Sequence, residues 1–293
     1  MKHSDAAADG FAAAHVSQTR LSAAVVTTTA VTQELIDRHQ LNQVAALALS
    51  RLASATALLH LLSGRIGTLS LQVISKGPLR QLFADIDHEG RMRGYCIGKA
   101  PPVIPQAGRI TVAAAVGEGA LSALRHPAPE GFSHSTTELI TGEIDQDIEH
   151  FCRQSEQIPS FLLCDAVFDD AGVLMRAGGL LVQDLPDTRS DALEAVRDRC
   201  TPEAFLRTLR ACDAPAPLLQ ALIPDSSAPT RQLPIAWHCR CSRERVLGAL
   251  LTLGQAELQD MIDSREEPQI DCDFCQKHYQ VTTAELLSLT AVN

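Results

Sequence analysis

Aromatic residues are scarce in this chain: Phe, Trp and Tyr make up 4% of 293 residues, with one tryptophan and two tyrosines. A chain of this length can bury a sizeable core, and here that core must be built from Leu, Val, Ile and Ala. Basic charge is also in short supply. Lys and Arg number 25 against 35 Asp and Glu, a formal net charge of -10. No block of Lys and Arg offsets that balance, which disfavours nucleic acid and anionic membrane surfaces as partners. There is no P-loop and no G-x-S-x-G, and Gly117-Glu118-Gly119 lacks the third glycine of a dinucleotide loop. His88, His126 and His134 have no paired nucleophile, and Glu143, Asp145, Asp147 and Glu149 read as an exposed acidic face. No catalytic constellation emerges, so an enzyme is not expected.

A leader and a membrane span are missing from the pattern as well. The first twenty residues carry Asp5 and Asp9 and lack an apolar stretch followed by a small-residue cleavage site. The most apolar segment, Val44 to Leu62, is interrupted by Arg51 and His60, which suits an amphipathic core helix better than a span. The expected location is therefore cytoplasmic. Nine cysteines in that compartment should be mostly reduced, so a clustered subset points to metal or redox chemistry.

Apolar spacing of three and four residues from about Leu35 to Leu62 predicts helix. Alternation over Thr68–Ile74 predicts a strand. A hairpin is expected with Leu82–Ile86 and Met92–Ile97 around a turn at Asp87–Gly90, and another around Asp169–Gly172. Arg109–Val116, flanked by Gly108 and Gly117, reads as a further strand. The fold class expected is α+β with mostly antiparallel pairing. Residues 1–186 would form this domain and 187–233 a helical linker with prolines at 202, 215, 217, 224 and 229. Residues 234–293 would form a small third domain. In the linker, Leu193/Val196/Cys200, Phe205/Leu206/Leu209 and Leu218/Leu219/Leu222 mark three short helices, the second starting at Thr201-Pro202. Narrow apolar stripes place this segment near the low-stability end of the molecule. In the last segment, Ser242 can cap one helix and Thr282 to Glu285 has capping-box spacing for another.

The last segment carries the strongest motif. HCRCSRER supplies Cys239 and Cys241, and DCDFC, after thirty intervening residues, supplies Cys272 and Cys275. Two close thiol pairs match the tetrahedral preference of Zn²⁺, one ion per chain. Arg240, Arg243, Arg245 and Lys277 lie near enough in sequence to offset the charge of four thiolates, and His238 and His278 flank the ligands. The remaining cysteines, at 96, 152, 164, 200 and 212, sit among apolar neighbours and read as core packing. A sixty-residue unit with few large apolar residues is marginal without a staple. Loss of the metal should unfold it.

The string WHCRCSRERVLGALLTLG…IDCDFCQKHYQV resembles the zinc-binding domain of the 33-kilodalton heat-shock proteins, redox-regulated bacterial chaperones. GPLRQLFADIDHEGRMRGY (Gly77 to Tyr95), RQSEQIPS (Arg153 to Ser160) and AGGLLVQDLP (Ala177 to Pro186) are similar to segments of the same family in the same order. The resemblance implies an ATP-independent holdase, idle when reduced and zinc-bound. Oxidants with heat would form Cys239–Cys241 and Cys272–Cys275 disulfides, eject zinc and expose apolar surface to unfolding clients, with a homodimer as the oligomer considered for the oxidised form. The proline-containing linker departs from the highly charged linker associated with the family. Two other classes would also use four cysteines. A zinc-dependent adaptor or nucleic-acid module is disfavoured by nine acidic against five basic residues over 234–293. A thiol oxidoreductase built on Cys272-Asp273-Phe274-Cys275 would need an exposed low-pKa thiol in a βαβ setting.

Overall fold

GFAAAHV and LSAAVVT are apolar on nearly every residue, and they form an antiparallel pair, β1 (Gly10–Val16) and β2 (Leu21–Thr27). Both strands are buried on both faces, so neither shows the alternation by which strands are found in sequence. The computed structural model describes residues 8–16, 19–102, 109–127, 131–185, 191–264 and 267–290. Asp5, the Gly108 boundary and the linker start at 187–190 lie outside them.

The helical pattern from Leu35 resolves into two helices, α1 (Thr29–His39) and α2 (Gln43–Ser63). Gln40 in the left-handed region ends the first, and Asn42 caps the second by accepting from the Ala45 N–H at 3.0 Å. The amphipathic expectation for α2 fails: every residue from Val44 to Leu61 is buried, Arg51 and His60 included. By length and composition α2 could cross a membrane, but here it is enclosed in protein. Arg51 survives at 0% exposure because Glu143 and Asp165 pair with it at 2.6 and 3.1 Å.

The chain continues through β3 (Gly67–Ser75), β4 (Leu79–Asp87) and β5 (Arg91–Gly98), with the expected turn between the last two. Arg109–Val116 is not a strand. Its alanines form a short helix, α3 (Ala113–Val116), whose entry is held by Glu143 Oε1 accepting from the Val112 and Ala113 N–H groups. The strand comes next, β6 (Gly119–Pro127), followed by β7 (Ser133–Glu138). Then come α4 (Ile144–Phe151) and the hairpin β8 (Ser160–Phe168) and β9 (Leu174–Asp184). The acidic run is not an exposed face either. Asp145 and Asp147 are buried on α4, where Asp145 meets Arg109 at 2.5 Å and Asp147 accepts N–H groups of Ile140, Thr141 and Gly142.

Three short helices follow, α5 (Ala192–Arg199), α6 (Pro202–Ala211) and α7 (Pro215–Leu222). Thr201 caps α6 by accepting from the Ala204 N–H, and prolines occupy the first turns of α6 and α7, where no helical N–H bond is lost. The chain then returns through β10 (Arg231–Pro234) and β11 (Ala236–Trp237).

These elements assemble in layers. One sheet has the order β10-β1-β2-β9-β8, the other β11-β5-β4-β3-β6-β7, antiparallel throughout except for β11 on β5. Helix α2 lies between them and shares one core with both. The five-stranded sheet has a second apolar face, including Ala14, Leu21, Val25, Leu163 and Val182, and α5–α7 cover it with Leu193, Phe205, Leu209, Leu218 and Leu222. The mixed α+β architecture with antiparallel sheets is as the sequence implied.

Two compact units divide the chain, Met1–His238 and Cys239–Asn293. The first ends in a fixed strap. Ala236 and His238 donate N–H bonds to the Gly90 and Met92 carbonyls at 3.0 and 2.7 Å, and the Arg38 guanidinium lies over the Trp237 ring at 3.9 Å. Gly90 is required there, since a Cβ would come within 2.1 Å of the Pro234 carbonyl oxygen and φ is +82°.

Asp9, just before β1, is 4% exposed and accepts from the Val31 N–H at 2.8 Å, at the start of α1. Burial raises its carboxyl from 3.8 to about 6 against those backbone bonds. The folded protein thus holds this proton more tightly than the unfolded chain. The associated stability is full below pH 3.8 and is lost as pH rises through about 6, and the ionised group then costs up to about 3 kcal/mol. Asp9→Asn keeps an acceptor for α1 without the charge. Urea unfolding at pH 4 and pH 7 should show the variant gaining about 1–2 kcal/mol over the parent at the higher pH only; parallel profiles would refute this account of Asp9.

Candidate metal centre

The unit from Cys239 to Asn293 has a small apolar core: Leu250, Leu258, Val281, Leu286 and Leu289 are its buried members. Around it stand α8 (Arg243–Leu250), α9 (Gln255–Asp263), the short hairpin β12 (Gln269–Asp271) and β13 (His278–Gln280), and α10 (Thr283–Thr290). Ser242 caps α8 through the Arg245 N–H. The capping box at α10 is complete: Thr282 N–H donates to Glu285 Oε2 at 2.9 Å, and Glu285 N–H donates to Thr282 Oγ1 at 3.4 Å.

Both ends of the molecule's thiol motif are shaped by backbone. Cys239 and Cys241 sit in the extended entry to α8, the second directly before the cap, where the positive end of a helix favours thiolate. Cys272 and Cys275 lie on the β12–β13 turn, closed by Cys272 N–H to Lys277 O at 3.0 Å and Gln276 N–H to Cys272 O at 2.9 Å. Gln276 takes φ +59° to make that turn.

The four sequence-expected residues come together. All four sulfurs lie within 4.8 Å of one another, with Cys239–Cys272 at 3.6 Å and Cys241–Cys275 at 3.4 Å. A tetrahedron with Zn–S bonds of roughly 2.3 Å has edges of about 3.8 Å. The donor set therefore fits a metal ion of that size and softness, and the cluster is able to hold one. Neither histidine joins it. His278 Nδ1 is paired with Asp271 at 2.6 Å, and among the described residues the group that could hold a metal consists of the four cysteines.

Electrostatics favour ionised sulfur at one position even without metal. Burial opposes ionisation of Cys241, but hydrogen bonds from the Tyr279 hydroxyl at 3.1 Å and from the other three thiols outweigh it and bring the thiol down to about 7. Burial, with the bonds it must donate to its neighbours, pushes Cys275 up to about 12, and burial also raises Cys239. Tyr279 holds its own proton up to about 12 because that proton is committed to Cys241. Sequence reasoning missed this tyrosine. Its signal was the β-strand register, which sets Tyr279 opposite Ile270, two residues before Cys272.

The basic residues do less than their spacing suggested. Arg243 is engaged with both oxygens of Glu285 at 2.6 Å and with Gln280 O at 2.8 Å, linking α8 to α10; it lowers the Glu285 carboxyl to about 2. Lys277 rests over the Tyr279 ring at 4.9 Å. The remaining cysteines are poor nucleophiles. Burial raises Cys96 to about 11 and Cys152 to about 12, and it also raises Cys164, Cys200 and Cys212.

Comparison with known proteins gives a consistent result. A family model described as Hsp33 protein matches residues 9–282. A 33 kDa chaperonin of Nostoc punctiforme is 36% identical over 97% of this chain and 96% of its own length. That of Trichormus variabilis is 38% identical, covering 90% of each chain. The crystal structure of the 33 kDa chaperonin, heat shock protein 33 homolog, from Thermotoga maritima superposes with a TM-score of 0.82 at 25% identity, covering 98% of both chains.

Hydrogen bonds to ligand atoms commonly carry about 10–100-fold in metal affinity. Tyr279→Phe removes the hydroxyl that donates to Cys241 and leaves the ring. Chelator competition should show metal held about tenfold more weakly in the variant. Unchanged affinity would mean that the Tyr279–Cys241 bond does not support the site.

Proposed function

This chain belongs to the Hsp33 family, chaperones of unfolded proteins rather than enzymes, and we propose that it is an ATP-independent holdase switched on by oxidation. Its resident metal in the reduced state is Zn²⁺, one per chain, held by Cys239, Cys241, Cys272 and Cys275. Bound there, zinc would keep the sulfurs as thiolates and fasten the β12–β13 turn to the entry of α8. As functional segments we assign 1–186 to the chaperone domain, 187–233 to its helical linker and 234–293 to the redox switch.

The observation that carries the reading is the doubly apolar sheet. One face of β10-β1-β2-β9-β8 is sealed by α2 and the second sheet, whereas the other is covered by α5–α7. That cover is three short helices interrupted by proline, which gain little stability except from packing. Unfolding them would bare Leu21, Val25, Leu163, Leu180 and Val182, an apolar surface suited to unfolding clients.

The thiols supply the trigger. A peroxide or hypochlorous acid would take two electrons from each pair of thiolates: the S–S bond forms as the O–O or O–Cl bond breaks, and with protons from solvent the oxidant leaves as water, or as water and chloride. The family resemblance pairs Cys239 with Cys241 and Cys272 with Cys275. The residues then no longer serve as thiolate ligands, and the terminal unit retains a core of very few side chains. Structural zinc contributes about 10–16 kcal/mol in small zinc peptides, as much as the whole stability of an ordinary domain, about 5–15 kcal/mol. The strap from Arg231 to His238 joins α7 to Cys239, and in this reading the cover is released when unfolding of the terminal unit spreads through the strap's bonds to β1 and β5. We assign the protein to the cytoplasm, with no nucleic-acid or membrane partner and a homodimer as the oxidised oligomer.

Metal analysis of anaerobically purified protein should find one zinc per chain, with tight binding lost in Cys272→Ser. Tight binding retained by that variant would rule out the ligand set.

Suppression of aggregation of a thermally unfolding client should be weak for the reduced protein and strong after peroxide treatment with heat. Equal suppression in both states would remove the switch and leave any zinc a structural role.

A further inference from the structure

A cavity of about 360 Å³ opens between α6 and β8, within the size range of small-molecule sites, roughly 300–1,000 Å³. Ile110, Val167, Phe168 and Leu206 provide apolar wall, and Arg207 and Arg210 stand at its α6 side. Three residues apart, the two arginines share a face of the helix. Both are exposed, and among the described residues neither forms an ion pair. Nearby arginines are spent on carboxylates: Arg176 on Asp213, Arg197 on Glu149 and Arg199 on Asp225. Asp165 is the acidic residue of the lining, and both its oxygens are occupied, Oδ1 by Arg51 at 3.1 Å and Oδ2 by Arg109 at 2.9 Å. The chamber thus combines apolar walls with two arginines that form no ion pair among the described residues, Arg210 also lining the neighbouring cavity with Asp169 and Asp170.

We propose that this cavity binds a small apolar carboxylate, such as a medium-chain fatty-acid anion. A carboxylate matches the fork of a guanidinium and gains charge-assisted hydrogen bonds from it. The hydrocarbon tail takes the apolar chamber, where burial of each methylene is favourable. Such an occupant touches α6 and β8 together, the cover and the sheet it covers. By binding the covered form and not the uncovered one, it stabilises the cover in proportion to its concentration. This last consequence rests on the uncovering reading above; the binding site itself does not.

The test is calorimetric titration of octanoate into the reduced, metal-loaded full-length protein, beside octanol as the uncharged probe. The double variant Arg207→Gln/Arg210→Gln changes exposed side chains only, and circular dichroism checks its fold. One octanoate site per chain is expected, at least tenfold weaker in the variant, with octanol at least tenfold weaker than octanoate. No octanoate binding, or affinity equal in the variant or for octanol, would overturn the site. In a second arm, saturating octanoate should slow the onset of holdase activity under peroxide and heat. An unchanged onset alongside measured binding would overturn the clamping effect. Absence of any oxidative activation without octanoate would instead overturn the switch, and the octanoate affinities would still decide the site on their own.

Discussion

A sheet that is apolar on both faces has to be covered twice. In this protein the two covers differ in kind. On one side α2 is buried along its whole length and shares a continuous core with both sheets. On the other side the cover is α5–α7, short helices with narrow stripes. Burial of apolar surface scales with area, so both covers are favourable, but only the first is built into a core that closes on itself. In the proposed reading the second cover is the removable one, and it shares a single sheet with an interior element.

The thiol cluster occupies a comparable position in its own unit. Among the described residues, six buried apolar side chains, with a few half-buried ones packed on them, are few for a fold of this length, and further ties are polar: the Arg243–Glu285 pair, the Thr282 capping box and the closed Cys272–Cys275 turn. Surface ion pairs and caps are each worth little, about 1 kcal/mol or less. Four sulfurs within 4.8 Å of one another therefore dominate what can hold this unit together. In the proposed reading, the chemistry of sulfur therefore decides whether the unit is folded. The other cysteines of the chain have thiols raised by burial, whereas Cys241 in the cluster is lowered to about 7.

Much of this was legible from residue order because local rules and tertiary structure agree. The C-x-C and C-x2-C spacings, Thr201-Pro202 at the start of α6, the turns at Asp87–Gly90 and Asp169–Gly172, and the Thr282–Glu285 box all use short-range chemistry. What escaped depended on distant partners. β1 and β2 lack alternation because both their faces are covered. Arg109–Val116 looked like a strand, but Glu143, about thirty residues on, fixes it as a helical turn. Asp145 and Asp147 looked solvated until Arg109 and the Ile140–Gly142 backbone were seen to enclose them. The return of β10 to β1, closing the sheet edge from the far end of the chain, has no local signature at all.

Hydrogen exchange, followed by peptide before and after peroxide treatment with heat, tests the link between the thiols and the sheet most directly. The account predicts that amides of 239–290 and of α5–α7 lose protection together, while β3, β4 and α2 keep theirs. Loss of protection confined to 239–290, with α5–α7 as protected as before, would contradict it.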